Sequence, residues 1–370
     1  MREVAVIGVG MTRFGQYPDQ PYAEHGVEAT RSALEDAGLE WNDIQYMYCG
    51  AVNVGMTPGN RVAAELGATG IPVVNVENAS ASGSTAFREA YFAIADERCD
   101  IAIAVGVGKM GRIGGGGGGS RAEQLAARAT GPAPPVATFA MRAHRWMAKY
   151  GTDPKVFAQV AVKNHYHGSL NPYAQFQDVF TLEDVLASRV IADPLHMLEC
   201  CPTGDGGAAA IVATPAVAAR LGRHPAVRVT ASAFAGIRHE DEPPMTVTAS
   251  RDAYEQAGVG PDDLDMVQLH DAFSIEELEY YAELGICEPE EAERLVIDGD
   301  TALGGRIPFN TDGGLISRGH PLGPTGLAQV WETTLQLRGD AGPRQIEGAN
   351  TGLLQMIGAG GVCLVHILQR

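Results

Sequence analysis

The chain has 370 residues, 27 of them basic and 45 acidic, for a net charge of −18 at pH 7. A field of that sign repels phosphate backbones and anionic lipid headgroups, so nucleic-acid and membrane-surface partners are excluded as first readings. The opening residues pass straight into a strand-like segment, with no run of about 18 apolar residues and no charged leader ahead of a cleavable apolar stretch, which predicts a cytoplasmic protein.

The six cysteines (Cys49, Cys99, Cys200, Cys201, Cys287, Cys363) show no CxxC spacing, which removes disulfide-framework and structural-zinc readings and predicts no metal site. The 46 glycines exceed the roughly 26 that a usual share of about 7% would supply. Two glycine-rich stretches carry no chemistry. Gly114 to Gly119 lacks the Lys-Ser/Thr that completes a phosphate-cradling loop and reads as a mobile surface loop. Gly8-Val9-Gly10 follows a strand, but the third glycine, Gly15, comes too late for a dinucleotide fingerprint, and Pro18 and Pro21 interrupt any helix there.

In chain order the pattern alternates. Val4–Val9 reads as a buried strand, Ala23–Ala37 as an amphipathic helix ending at Gly38, and Ile44–Cys49 as a strand, so a parallel sheet is expected. A strand at Val73–Val76, a helix over Ser82–Asp96 and a strand at Ile101–Val107 complete a first α/β unit. Residues 108 to about 200 change character, with Pro132, Pro134 and Pro135 and helical stretches at Ala137–Tyr150 and Pro154–Tyr166, and read as an excursion covering the sheet. The grammar returns with a strand at Val227–Ala233, a helix near Ser250–Ala257, a strand at Met266–His270, helices at Ile275–Leu284 and Gly326–Leu337, and a terminal strand at Val362–Leu368. Two similar α/β halves are expected, 1–220 with the excursion and 221–370.

Three strand-to-helix junctions hold the candidate chemistry. In Asn78-Ala79-Ser80-Ala81-Ser82-Gly83-Ser84 small residues precede a helix, and Ser80 would stand where first-turn N–H groups and the helix dipole stabilise an oxyanion. An ordinary serine-rich N-cap is the competing reading. His270-Asp271-Ala272-Phe273-Ser274 places an imidazole and a carboxylate where a strand ends, the ligand-binding end of α/β sheets, against which stands a plain structural histidine. In the third, Asn310 to Gly314 leads through Ser317-Arg318-Gly319-His320-Pro321 to Gly326. A histidine fixed between glycine and proline among turn-formers is hard to assign to core packing, so His320 reads as functional.

Together these segments resemble the thiolase superfamily, in particular sterol-carrier-protein-type thiolases and bacterial and archaeal acetyl-CoA acetyltransferases. The likeness runs from Val4-Ala-Val-Ile-Gly-Val-Gly-Met-Thr-Arg-Phe-Gly15 through Asn171-Pro172, Ser188-Arg189, Ala192-Asp193-Pro194-Leu195 and Asp205-Gly206 to the glycine-rich C-terminal strand. It implies a thiolase fold, an α/β architecture of two β-α halves in a five-layer α-β-α-β-α sandwich with a loop insertion. It also implies an acyl-CoA C-acyltransferase that makes or breaks a C–C bond beside a coenzyme A thioester, with no covalently bound cofactor. The partners implied are the acyl-CoA substrate, a second copy in a homodimer, and a small protein with an OB-fold and a zinc ribbon.

By position, the resemblance places the nucleophile at Ser80, the activating imidazole at His320 and an assisting imidazole at His270. The backbone N–H groups of Ser80 and Gly358 form an oxyanion hole, and Asn310 and Gly319 are substrate contacts. The sequence departs from the pattern in three places. Ser80 stands where relatives carry cysteine, Gln355-Met356 stands where many carry His-Asn, and Ala272 stands where some carry cysteine. Ser80 is open to three readings: an isostere substituted for a catalytic cysteine, a genuine serine acyl acceptor, or a site turned to retro-aldol cleavage of an acyl-CoA. A catalytically silent acyl-CoA or lipid carrier of the same fold is the alternative outside enzymology. Arg112, Arg121 and Arg318 are candidate partners for the CoA phosphates, against which stands the favoured reading of a solvated charge at each.

Overall fold

In the computed structural model, residues 2–110, 135–222, 226–237, 242–359 and 361–370 are described. The Gly114–Gly119 run, Arg112 and Arg121 lie outside the described residues. Apolar runs and amphipathic helices alternate in chain order. β1 (Ala5–Met11) precedes α1 (Tyr22–Ala37), which stops on Gly38 in the left-handed conformation. β2 (Tyr46–Val52), α2 (Pro58–Leu66), β3 (Val73–Val76), α3 (Ser82–Ala95) and β4 (Ile101–Lys109) follow. Then come α4 (Pro135–Tyr150), α5 (Pro154–Ser169) and β5 (Asp205–Ala213). The remainder runs β6 (Val227–Gly236), α6 (Met245–Ala257), β7 (Met266–Gln268), α7 (Ile275–Glu283), α8 (Thr325–Arg338), β8 (Thr351–Gly358) and β9 (Val362–Gln369).

These nine strands lie in the order β3-β2-β4-β5-β1-β6-β9-β8-β7. The order is a duplication. In the first half β3, β2 and β4 are parallel while β5 runs antiparallel to both β4 and β1. In the second, β7 and β8 are parallel and β9 runs antiparallel to β8 and β6, with an isolated parallel bridge from Val267 to Phe309 where the first half has β3. The two half-sheets join through Ala5 and Val6 of β1, opposite Arg228 and Val227 of β6, and the Val229 N–H donates to the Val4 carbonyl at 2.9 Å beside them.

The sheet is therefore mixed, which corrects the expectation of a parallel one. β5 (Asp-Gly-Gly-Ala-Ala-Ala-Ile-Val-Ala) is the reason: it is poor in branched residues, yet it is buried along its whole length between β4 and β1. Its glycines admit neighbouring backbone, since a Cβ on Gly207 would lie 2.3 Å from the His25 carbonyl oxygen. Gly8 has the same explanation, with the Ala33 carbonyl oxygen of α1 2.3 Å from its would-be Cβ, so the early glycines seat a helix.

Alternating strand residues feed different layers. Ala209 and Ile211 face α1 with Ala29, Ala33 and Leu34. Ala208, Ala210 and Val212 face a central layer of α3 and α8 that also touches Leu354 and Leu368 of the second half-sheet. Leu353, Val365 and Ile367 face α6 and α7. Five layers result, α-β-α-β-α. The described part of the excursion, α4 and α5, packs with this last cluster, over the second half.

Burial keeps several imidazoles uncharged, and His366 is the extreme case, pushed down to about 3 by burial with Arg88 adding to it. Its Nδ1 lies 3.1 Å from Ser232 Oγ. The unfolded chain binds that proton as pH falls through about 6.5 while the folded chain does not, so acid removes stability. In His366→Leu the stability lost between pH 7 and pH 5, read by urea unfolding at each pH, is expected to shrink by about 2 kcal/mol. An unchanged acid loss would contradict a neutral buried imidazole.

Candidate active site

The central helices α3 and α8 approach one another at their N-terminal ends. Gly83 and Gly326, the second residue of each helix, mark the contact. A Cβ on Gly83 would lie 2.5 Å from the Gly323 carbonyl oxygen, and one on Gly326 would lie 2.1 Å from Ser84 Oγ. The segments entering the two helices consequently meet. Ser80 Oγ lies 3.0 Å from His320 Nε2, although 240 positions separate the residues.

The segment carrying Ser80 is held from within. Ser82 Oγ accepts the Asn78 N–H at 2.9 Å and donates to the Ala79 carbonyl at 2.6 Å. Asn78 Nδ2 donates to Thr85 Oγ1 at 2.9 Å. Ala79 has φ 48°, a left-handed conformation that costs a residue with a Cβ about 1 to 2 kcal/mol. Such strain persists only where the surroundings impose it, and it concentrates at functional sites. Gly358, the last residue of β8, closes the other side: its would-be Cβ lies 2.2 Å from the Asn78 carbonyl oxygen.

On the other segment, hydrogen-bond direction assigns the tautomer of His320. Thr325 Oγ1 donates to the Pro321 carbonyl at 2.7 Å, so toward His320 Nδ1, 2.9 Å away, its oxygen can only accept. Nδ1 therefore carries the proton and Nε2 offers its lone pair to the Ser80 hydroxyl. Burial, with His270 and Arg318 adding to it, holds this imidazole well below the usual histidine range, hence neutral.

His270 stands edge-on to His320, ring centres 5.3 Å apart at 86°. Its Nδ1 lies 3.2 Å from Glu276 Oε1, and its backbone N–H donates to Gln355 Oε1 at 3.0 Å. Glu276 also accepts the Tyr280 hydroxyl at 2.9 Å and the Phe273 N–H at 3.2 Å. Burial pushes that carboxyl up, but His270, Tyr280 and Arg142 outweigh it and hold the group below its usual range. Asp271 points elsewhere. Its carboxylate accepts the Leu315 N–H at 2.7 Å and Asn164 Nδ2 at 2.8 Å, anchoring the turn that leads to His320.

The structure thus brings Ser80, His270, His320 and Gly358 together and keeps two expected contacts apart. Asn310 is fully buried, with Oδ1 accepting the Leu269 N–H at 2.9 Å and Nδ2 donating to Glu277 at 3.2 Å. It is a strut between β7 and α7. Gly319 has φ 107° and its would-be Cβ faces Gln175 Oε1 at 2.9 Å, so it shapes the turn and faces protein. Arg318 is fully buried and paired with Asp312, which removes it as a contact for a CoA phosphate. Glu276 and Thr325 were not singled out from sequence; the available signal was their offset, six and five residues beyond a candidate histidine at a helix start. Among the described residues no cluster of three or more His, Cys, Asp or Glu side chains could hold a metal ion.

A hydroxyl against a neutral imidazole, a second imidazole backed by a carboxylate, and two helix N-termini form a nucleophile–base pair in a field that favours developing negative charge. The family profile "Thiolase, N-terminal domain" matches residues 4–216, and "Thiolase C-terminal domain-like" matches residues 237–370. The chain belongs to the thiolase family. The chain is 41% identical to the acetyl-CoA acetyltransferase of Methanothermobacter thermautotrophicus, covering 100% of both chains. It is 38% identical to human sterol carrier protein 2, over 99% of this chain and 72% of that one. A solved structure, the Ltp2-ChsH2(DUF35) aldolase, superposes with a TM-score of 0.88 at 26% identity, over 98% of this chain and 97% of that one.

In a thiolase fold so arranged, the glycine contact between helices sets the Ser80–His320 distance. Gly83→Ala is expected to cost about 1 to 3 kcal/mol in urea unfolding, because its methyl meets backbone that must shift. A variant as stable as the parent would show that the helix ends have slack.

Proposed function

We propose that the protein is an acyl-CoA C-acyltransferase that forms or cleaves a C–C bond beside a coenzyme A thioester through an acyl ester on Ser80. The observation that carries the reading is the 3.0 Å Ser80–His320 pair with the imidazole held as a neutral acceptor. The helix terminus cannot ionise a hydroxyl by itself, so a base must take the proton during attack. Ser80 Oγ adds to the thioester carbonyl as its proton passes to His320 Nε2, and the N–H groups of Ser80 and Gly358 receive the oxyanion. The C–S bond then breaks, and the departing CoA thiolate takes the proton from His320.

In the second half-reaction the α-carbon of another acyl-CoA loses a proton to His320, and its carbanion attacks the ester carbonyl. The C–C bond forms, the bond to Ser80 Oγ breaks, and the proton on His320 returns to the serine. His270, its Nδ1 proton held by Glu276, turns the Nε2 lone pair toward the second substrate and assists proton transfer there. The similarity to an acetyl-CoA acetyltransferase supports this assignment.

A second reading, retro-aldol cleavage of an acyl-CoA in the same cleft, is favoured by the aldolase among the solved neighbours. That neighbour includes a DUF35 component, which supports a partner protein here; the OB-fold and zinc ribbon of such a partner rest on the family resemblance alone. A homodimer is supported by β3, an end strand of the sheet with Val74 exposed. Six free thiols accord with a cytoplasmic location. Among the described residues no helix is long and apolar enough to cross a membrane.

Incubation with acetyl-CoA or acetoacetyl-CoA, followed by peptide mass mapping, tests the assignment. An acyl adduct at position 80 is expected in the parent and, more abundantly, in Ser80→Cys, and none in Ser80→Ala. Cleavage of a β-hydroxyacyl-CoA that survives Ser80→Ala would instead establish the aldolase reading. Binding of acyl-CoA with no reaction in either the parent or Ser80→Cys would overturn both in favour of a carrier.

A further inference from the structure

Outside the reacting groups, the molecule holds a second concentration of charge, on the buried face of α7. Glu276, Glu279 and Glu283 recur at positions i, i+3 and i+7 and so share one side of that helix. Burial pushes Glu283 up to about 7 and raises Glu279 as well, while Glu276 is held below the usual range. His270 does most to hold Glu276 down, with Arg142 and Tyr280 adding to it. Arg142 bridges the pair: its Nη1 lies 3.6 Å from Glu276 Oε1, and its Nη2 pairs with Glu279. Among the described residues no other Lys or Arg lies within 4 Å of the Glu276 carboxylate.

Arg142 does not belong to either half-sheet. It stands on α4, and aromatic faces fix its guanidinium, with Phe139 at 4.8 Å and Tyr280 at 5.9 Å from ring centre to Cζ. Phe139 in turn stacks on Phe273, three residues after His270, with ring centres 4.3 Å apart. The helix is thus clamped to the segment that carries the imidazole. On the far side of the same carboxylate, Glu276 Oε1 faces His270 Nδ1 at 3.2 Å.

We propose that Arg142 is a positioning residue for His270: by supplying the positive charge that keeps Glu276 ionised, it keeps the proton on His270 Nδ1 and leaves Nε2 facing the cleft. The inference rests on the reading of His270 as part of the acyl-transfer site, and it adds that docking of α4 sets the state of that imidazole. Without the guanidinium, only His270 and Tyr280 would oppose the full burial of Glu276 beside Glu279 and Glu283, and the balance moves toward uptake of a proton. A protonated Glu276 is no longer an obligatory acceptor, and the preference for Nδ1–H goes with it.

The side-chain ¹⁵N signals of His270, assigned by their loss in His270→Asn, read this directly and do not depend on catalysis. In the parent Nδ1 is expected at a protonated shift with a directly bonded proton. In Arg142→Met that signature is expected to be lost or divided between the two nitrogens, and Arg142→Lys, which keeps the charge, should restore it. Turnover of acetoacetyl-CoA should fall about a hundredfold in Arg142→Met with KM within about threefold, the loss typical of a misplaced acid–base group.

Arg142→Gln serves in place of Met if the latter does not fold, since it keeps an amide donor without the charge. A parental ¹⁵N signature in the folded Met or Gln variant, or its loss in the Lys variant as complete as in Met, overturns the proposal. If the acyl-transfer reading itself fails, turnover is absent in every form while the ¹⁵N comparison still decides the role of Arg142.

Discussion

One steric constraint organises the rest: two central helices touch end to end with a glycine at each point of contact. The first turn of α3 carries Gly83 against the Gly323 carbonyl, and the first turn of α8 carries Gly326 against Ser84. Any larger residue at either position would separate the entering segments by about the width of a methyl group, and a hydrogen bond does not survive a displacement of that size. The duplicated strand order puts α3 and α8 in the same layer, so the contact follows from the pseudo-repeat. Side chains 240 positions apart are thereby held together by the fold's own symmetry.

The electrostatic consequences run the same way. Two helix N-termini facing one point favour negative charge and disfavour a cation. Burial of His320, with His270 and Arg318 close by, adds to that bias. An imidazole in such a place stays neutral through the ordinary pH range, and the chain from Pro321 through Thr325 decides which nitrogen is free. His270 differs in having a carboxylate behind it. The two histidines therefore take different roles from their surroundings rather than from their own chemistry.

Much of this was legible in the sequence because turn-formers and motif order survive without coordinates. Ser80, His270, His320 and Gly358 all lie at strand or helix ends, where punctuation by glycine, proline and serine is strongest. What escaped was carried by residues with weak patterns. β5 and β8 were not read as strands: the first is nearly all alanine and glycine, and the second mixes glycine and glutamine among its leucines. Their strand character comes from burial between partners, a tertiary effect that propensity does not register. Asn310 was expected to meet substrate on the family resemblance, and its actual partners are not visible in sequence. Its partners, Leu269 and Glu277, lie 41 and 33 positions away. Glu276 and Thr325 were overlooked for the converse reason, since a helix-start glutamate or threonine is ordinarily a cap.

If Ser80 is the acyl acceptor proposed above, its hydroxyl determines how the remaining groups must act. A thiol beside two helix N-termini could lose its proton before substrate arrives, and the imidazole would then find a thiolate already formed. A hydroxyl cannot, so its proton must move in the same step in which the C–O bond forms, and the base has to be unprotonated and within bonding distance beforehand. The observed arrangement meets both demands: Nε2 is free, and it lies 3.0 Å from Oγ. Had His320 been held in its charged form, the same distance would have been inert toward a serine, because neither partner could take the proton. The depressed basicity of the buried imidazole, which makes it a weaker base, is thus also what keeps it available, and for an alcohol nucleophile availability is the stricter requirement.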